Sequence, residues 1–376
     1  MKNLLGAASL LMLSAAPVWA QGDQTALELD LAGYFRGYMA YASQDTVAGS
    51  AERHVDILRD AKIYMDGKTV LDNSLTVGLH FEFRSDMGDG FAVDKSFLYL
   101  SNDWGKVNFG GVDGVGYLLQ VAAPSADGNI DGLRQYIQAV NYNLVGGAIG
   151  PQLQAVEWDY AHDVTASSDK ISYFSPKFSG LQLGVSYTPD VQATSFTGNS
   201  ESSTASRGLN GVSTDDVAGA YGAAWELAAR YERKMETFGF TLGAGYSHVD
   251  HEADAAGEDD LSAWNVGAAM TVSDFGFGVA YTENDNGRDP DDKTDILVLG
   301  ADYKTGPWKL GGSWYMRDDE NLTGSTDLES DRYVAGVVYK YGPGMDLRSS
   351  ISYIDHDFGA ENIDATSFVI GTQITF

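Results

Sequence analysis

The chain has 376 residues and no cysteine, which removes disulfides and thiolate metal sites from consideration. A thiol-free chain suits the periplasmic side of a cell envelope, where a stray thiol risks oxidation. Basic residues are scarce: 24 Lys and Arg stand against 53 Asp and Glu, a formal net charge of −29. That balance argues against nucleic acid as a partner, because neutralising phosphates needs cationic side chains in excess. Beyond Gln21 no apolar run approaches the roughly 20 residues of a transmembrane helix. Enzyme signatures are missing as well: there is no P-loop, no Gly-x-Ser-x-Gly elbow and no His-Glu-x-x-His.

What is present begins at the N-terminus. Met1-Lys2-Asn3 is a short cationic segment, Leu4 to Leu13 is apolar, and Pro17-Val18-Trp19-Ala20 precedes a cut at Gln21. This pattern predicts a secretory signal peptide over 1–20 and a mature domain over 21–376.

Period-2 alternation then recurs along the chain. In the last stretch Thr366, Phe368, Ile370, Thr372, Ile374 and Phe376 alternate with Ala365, Ser367, Val369, Gly371, Gln373 and Thr375. Leu75, Val77, Leu79, Phe81 and Phe83 alternate in the same way with Thr76, Gly78, His80, Glu82 and Arg84. A strand has a side-chain period of two, so such segments show one face to oil and one to water. Strands of about 9–14 residues suit a tilted bilayer crossing better than a soluble sandwich. Connections alternate between tight turns, such as Lys177 to Gly180 and Tyr341 to Gly344, and long acidic loops, such as Asp250 to Asp260 and Arg317 to Asp331. That asymmetry marks an outer-membrane barrel.

The expected fold is all-β: a transmembrane antiparallel β-barrel of sixteen strands. The spans are 28–42, 54–66, 73–85, 91–101, 104–111, 169–176, 181–188, 220–233, 237–249, 261–272, 275–283, 294–303, 308–317, 331–341, 345–355 and 364–376. The second strand reads with a bulge or a misplaced boundary, because Arg59 falls on the face that Ile57 and Ile63 turn to lipid. A barrel of this strand number encloses water.

Aromatic residues group at two levels. Trp104, Phe178, Phe275, Trp308, Tyr341 and Phe376 sit by short turns, and Tyr187, Tyr246, Trp264, Tyr281 and Tyr353 sit nearer long loops. Amphipathic rings prefer the headgroup level. The longest connection, 112–168, contains a helix-like piece from Leu133 to Val140, with Leu133, Ile137 and Val140 on one face. Apolar residues on a loop want burial, so the loop is expected to fold into the lumen and narrow it.

Parity with the lipid face turns Arg36, His80, Glu82, Arg84, Glu226, Arg230, Lys309, Arg332, Lys340 and Arg348 inward. Opposed to carboxylates of the loop, such as Asp113, Asp127 and Asp131, they would set a transverse field that selects ions. Arg134 lies within the same loop. Acidic clusters crown the external loops, and Asp259, Asp260, Asp291 and Asp292 are candidate Ca²⁺ ligands, though without calcium-loop spacing. No other cofactor is expected.

The run Ile171 to Pro189, the run Leu71 to Gly78 and the terminal Phe376 resemble the Gram-negative general porin family. The resemblance implies an outer-membrane homotrimer, in contact with lipopolysaccharide, passing ions and small hydrophilic solutes without catalysis. It implies an eyelet with Asp127 and Asp131 on the acidic side and Arg36 and Arg84 on the basic side. The family's arginine-rich strand before the third loop is here Val107-Asn108-Phe109-Gly110-Gly111, without arginine. Three other readings compete: a substrate-specific channel, a barrel enzyme such as a phospholipase or protease, and a plugged adhesive barrel. An aromatic slide or arginine ladder would mark the first, a Ser/His or Asp/His site near the rim the second, and absent conductance the third.

Overall fold

The computed structural model describes residues 13–14, 27–46, 52–84, 92–126, 132–134, 137–145, 158–191, 217, 220–253, 257–288, 292–320 and 326–376. The alternating segments form β1 (Glu28–Gln44), β2 (Val55–Val70), β3 (Thr76–Arg84), β4 (Ala92–Asn102), β5 (Gly105–Gly111), β6 (Asp169–Phe174), β7 (Leu181–Thr188) and β8 (Tyr221–Lys234). They continue as β9 (Phe238–His251), β10 (Leu261–Val272), β11 (Phe275–Asn284), β12 (Thr294–Thr305), β13 (Trp308–Asp319), β14 (Leu328–Gly342), β15 (Met345–Phe358) and β16 (Glu361–Thr375).

Every strand pairs antiparallel with its sequence neighbours, and β16 returns to β1 in register from Ala365↔Gln44 to Thr375↔Tyr34. Gly33 N donates to Phe376 O at 2.9 Å and Phe376 N to Gly33 O at 3.0 Å, which finishes the seam. The sheet is therefore a closed sixteen-stranded barrel. A further two-residue strand, Leu13–Ser14, falls in the expected leader and pairs with Leu31 and Asp30. The rest of 1–20 lies outside the described residues.

The expected bulge in the second strand is corrected. The β1–β2 register is unbroken from Glu28↔Lys68 to Tyr41↔Val55, and Arg59 turns outward in the same row as Ile57. The irregularities lie elsewhere, one of them between Glu82 and Phe83. There the extra residue on β4 is Asp94, whose carboxylate pairs with the Lys62 ammonium.

Outward rows are apolar, with Ile57, Phe109, Leu227, Leu242 and Ile351 all exposed. Short turns close where a left-handed residue reverses the chain, as at Gly180 (φ 101°) and Gly344 (φ 72°). Aromatic rings meet in tilted pairs on the outer face at both ends: Trp308 with Tyr339 at 4.5 Å near the short turns, and Trp264 with Tyr281 at 5.0 Å near the long loops.

Leu299, midway along β12, faces outward beside Val279 and Trp314. Leu299→Arg should cost roughly 2–4 kcal/mol. Reversible denaturant unfolding in lipid vesicles measures it, and a neutral effect would mean this face meets no hydrocarbon.

Candidate functional site

The site is built where the 112–168 connection meets the inner wall. Its outgoing limb carries one helical turn, α1 (Val115–Leu118), and then runs extended past the inward faces of β7 to β12. It lies close because the wall offers glycine. A Cβ on Gly243 would stand 2.7 Å from Val121 Cγ2, and one on Gly267 would stand 2.8 Å from Val121 O. Any side chain at either position would lift the limb off the sheet. Arg230 holds this limb by donating to Gln120 O at 2.7 Å.

Further along, Leu133, Val140, Tyr142, Val145, Trp158 and Tyr160 bury themselves against Ile296, Val298, Tyr315, Leu328, Ile354 and Phe358. The Trp158 ring lies 5.1 Å from both Tyr315 and His356. Trp158 Nε1 donates to Tyr142 Oη at 3.0 Å, and that hydroxyl meets His356 Nε2 at 3.0 Å. The expected helix over Leu133–Val140 is corrected. Of that span 135–136 lie outside the described residues, and 137–140 are irregular. Ile137 packs with Tyr38, Ala40 and Val369, while Leu133 and Val140 join the larger cluster. The three residues anchor in two patches of wall, which a single helical face could not reach.

The return limb is pinned by polar contacts. His162 N donates to Gln120 Oε1 at 2.7 Å, and Gln120 Nε2 donates to Tyr160 O at 2.8 Å. His162 Nε2 lies 2.5 Å from Ser247 Oγ, and Ser247 Oγ donates to Glu226 Oε1 at 3.2 Å. With the hydroxyl proton committed to Glu226, the imidazole donates from Nε2. Nδ1 is then a buried lone pair without a hydrogen-bond partner. Burial accordingly pushes the His162 pKa down to about 4. At the loop's two roots Lys170 Nζ donates to Val112 O, to Ala166 O at 2.7 Å and to Ser168 O at 2.9 Å.

The inward charges are organised as pairs. Arg36 Nη1 lies 4.0 Å from Asp60 and Arg84 Nη2 lies 3.7 Å from the same carboxylate, all three buried. His80 bridges Asp66 at 2.7 Å and Glu82 at 3.2 Å. Lys62 reaches Glu82 at 2.8 Å, and Lys95 joins Glu82 at 3.7 Å to Asp113 at the loop's root. Asp113 is thus held by a wall lysine. Arg134 pairs inside the loop with Asp163 and with Asp159 at 3.5 Å, and stacks over Tyr117 at 4.2 Å. Arg230 also meets Glu232 at 2.7 Å, Arg348 meets Asp346 at 3.4 Å, and Arg332 is buried beside the loop. Asp127 and Asp131 lie outside the described residues, as does Asp291. Asp259 and Asp260 are exposed on the external rim, and Asp292 pairs with Arg288 at 3.4 Å.

Asp60, Lys62, Asp94, Lys95 and Lys170 belong to this wall and were not anticipated. Continuing the parity of β2 would have found Asp60 and Lys62. The β4 bulge hides Asp94. Beside the outgoing limb a cavity of about 340 Å³ is left, lined by Tyr117, Gln120, Leu133, Arg230 and Thr241 among others.

A closed antiparallel barrel with an apolar outside, paired charges within and a loop laid on its inner wall defines an outer-membrane channel fold. The sequence profile described as Gram-negative porin matches residues 7–359, and the chain belongs to that family. It is therefore an outer-membrane β-barrel protein. An uncharacterized protein of Rickettsia bellii is 21% identical over 94% of this chain and 93% of its own length. Among solved structures, the anion-selective porin from Comamonas acidovorans superposes with a TM-score of 0.58 at 16% identity, over 93% of this chain and all of its own. An outer membrane protein of Vibrio cholerae solved in a trimer form gives a TM-score of 0.59 at 15% identity, over 93% of this chain and 99% of its own. At these identities the likeness is one of fold.

Two predictions follow from loop docking. Gly267→Leu should detach the outgoing limb, read as faster proteolysis within 112–168 with unchanged far-ultraviolet circular dichroism. Unaltered cleavage would refute the close packing. His162 keeps its neutral form in the fold, since its folded value lies below the free histidine value of about 6.5. That contribution is present above pH 6.5 and lost as pH falls toward 4, on the order of 3 kcal/mol. Loop proteolysis should therefore rise between pH 7 and pH 4.5, and His162→Gln should flatten the rise.

Proposed function

We propose that this porin is a water-filled passive channel for ions and small hydrophilic solutes, with a preference for cations. The carrying observation is the distribution of charge. Most inner-wall carboxylates are matched by bases, Glu226 with its Ser247 partner excepted, whereas carboxylates at the external ends of the strands face one another. Glu283 is opposite Asp295, Asp295 opposite Asp318, Asp331 opposite Asp355, and Asp355 opposite Asp364. Asp295 also meets Lys293 at 3.1 Å, while the others have no base partner among the described residues, and such an acidic mouth concentrates cations and repels anions. The Comamonas protein is anion-selective by description, so the choice of sign is a property of each chain's own charges.

Among the described residues, the set that most resembles a hydrolase site is Ser247, His162 and Glu226. There the serine sits between histidine and carboxylate, all three are buried, and nothing orients His162 Nδ1. A working triad needs the histidine in the middle. A homotrimer in contact with lipopolysaccharide completes the reading. Arg59 supports it: a cation on the outer face beside Gly37 is costly in lipid and relieved against a subunit.

Reversal potentials in planar bilayers under a salt gradient test the proposal. Cation over anion permeability is expected, falling toward unity when Asp318, Asp331 and Asp355 become Asn. Anion selectivity would overturn the sign, and absence of conductance would overturn the channel.

A further inference from the structure

Near its end strand β9 carries His248 and, two residues on, Asp250 on the same outward face; the chain returns to place Asp260 just before β10. The register Val249↔Leu261 sets the two acids side by side. His248 Nε2 lies 3.3 Å from Asp250 Oδ1 and 3.7 Å from Asp260 Oδ2. One ligand atom from each residue falls within a span of 4.8 Å. Both flanks of the set are held. His248 Nδ1 lies 3.3 Å from Ser262 Oγ, and His251 N donates to Asp260 Oδ1 at 2.8 Å. No Lys or Arg among the described residues pairs with either carboxylate, so the two acids repel across the hairpin with only an imidazole between them.

We propose that His248, Asp250 and Asp260 form a site for a divalent transition-metal ion of the zinc type. Among the described residues this is the set in which an imidazole and two carboxylates bring one ligand atom each within 4.8 Å of one another, whereas the His251 ring pairs with the Glu258 carboxylate alone. Calcium and magnesium take oxygen ligands, while a nitrogen donor with two carboxylates suits zinc and its neighbours. Water or a membrane-surface anion would fill the remaining positions. The buried-side nitrogen of His248, oriented by Ser262, supplies the outer hydrogen bond that metal-bound histidines use. A bound ion would tie β9 to β10 at the rim. Asp260 thereby changes from a calcium candidate to a zinc ligand. Asp259 instead uses Oδ1 to accept from Asp260 N at 2.8 Å. The site is independent of the channel reading, because it lies on the outer face and its test needs no conductance.

The purified full chain in detergent, titrated with zinc against a chromophoric chelator, should bind one equivalent. His248→Ala and Asp260→Asn should each weaken binding on the order of tenfold or more. His54→Ala, which removes a histidine elsewhere on the rim, should leave it unchanged. Excess calcium should not displace the zinc, and zinc should slow proteolysis between 252 and 259. Circular dichroism and heat-dependent gel mobility confirm that each variant is folded. Equal affinity in folded His248→Ala, or displacement by calcium as readily as by zinc, would overturn the site.

Discussion

Hydrocarbon offers no partner to a backbone N–H or C=O, so a strand that enters it must be paired on both sides. That constraint governs the molecule from its ends inward. The pairing of β16 with β1 satisfies the last two edges, and the terminal Phe376 joins it through two hydrogen bonds to Gly33. Once the ring is closed, the period of two divides each strand between lipid and lumen, and a charge has only the inner face or the rims in which to reside. Arg59 is the exception on β2, and it sits opposite a glycine, where a neighbouring surface can approach closely.

The inner face then has two tasks. On β8 to β15 it must receive the loop, which requires small or apolar residues: Gly243, Gly267, Ala280, Ile296, Val298 and Ile354. On β1 to β4 it carries the charges, and those are close to fully buried. Burying an ion is costly unless partners surround it. The Arg36–Asp60–Arg84 set and the Lys62–Glu82–Lys95–Asp113 chain answer that cost with alternating signs. The last of these also fastens the root of the loop, so one network sets both wall electrostatics and loop position.

This division explains what the sequence revealed. Strands such as β3 and β16 alternate cleanly because one face meets oil and the other water. The barrel, its sixteen strands and its turn asymmetry were legible from that pattern. In β12, Ile296, Leu297, Val298 and Leu299 are apolar on both faces, since one side meets lipid and the other meets the loop. Alternation cannot report a wall covered from within. The loop itself was less legible still. Its apolar residues follow the spacing of anchor points on the wall, and the described part of Leu133 to Val140 is irregular where that spacing mimics a helix.

The net charge of −29 is unevenly placed in the structure. Inside, most carboxylates meet bases, Glu226 being the exception, and bases such as Lys304 and Lys340 near the short turns have no carboxylate partner among the described residues. The surplus acids stand at the other end, on the external ends of β9 to β16, in cross-strand positions where like charges oppose each other. Such ladders are destabilising in isolation. They persist at the one level of an outer membrane where cations are always at hand, and the tyrosine and tryptophan rings below them donate into the same carboxylates: Tyr281 to Asp295 at 2.7 Å, Trp314 to Asp331 at 2.6 Å, Tyr353 to Asp364 at 2.7 Å. At these positions the aromatic girdle and the acidic rim are therefore one structure, in which the ring is held at the interface by the carboxylate above it.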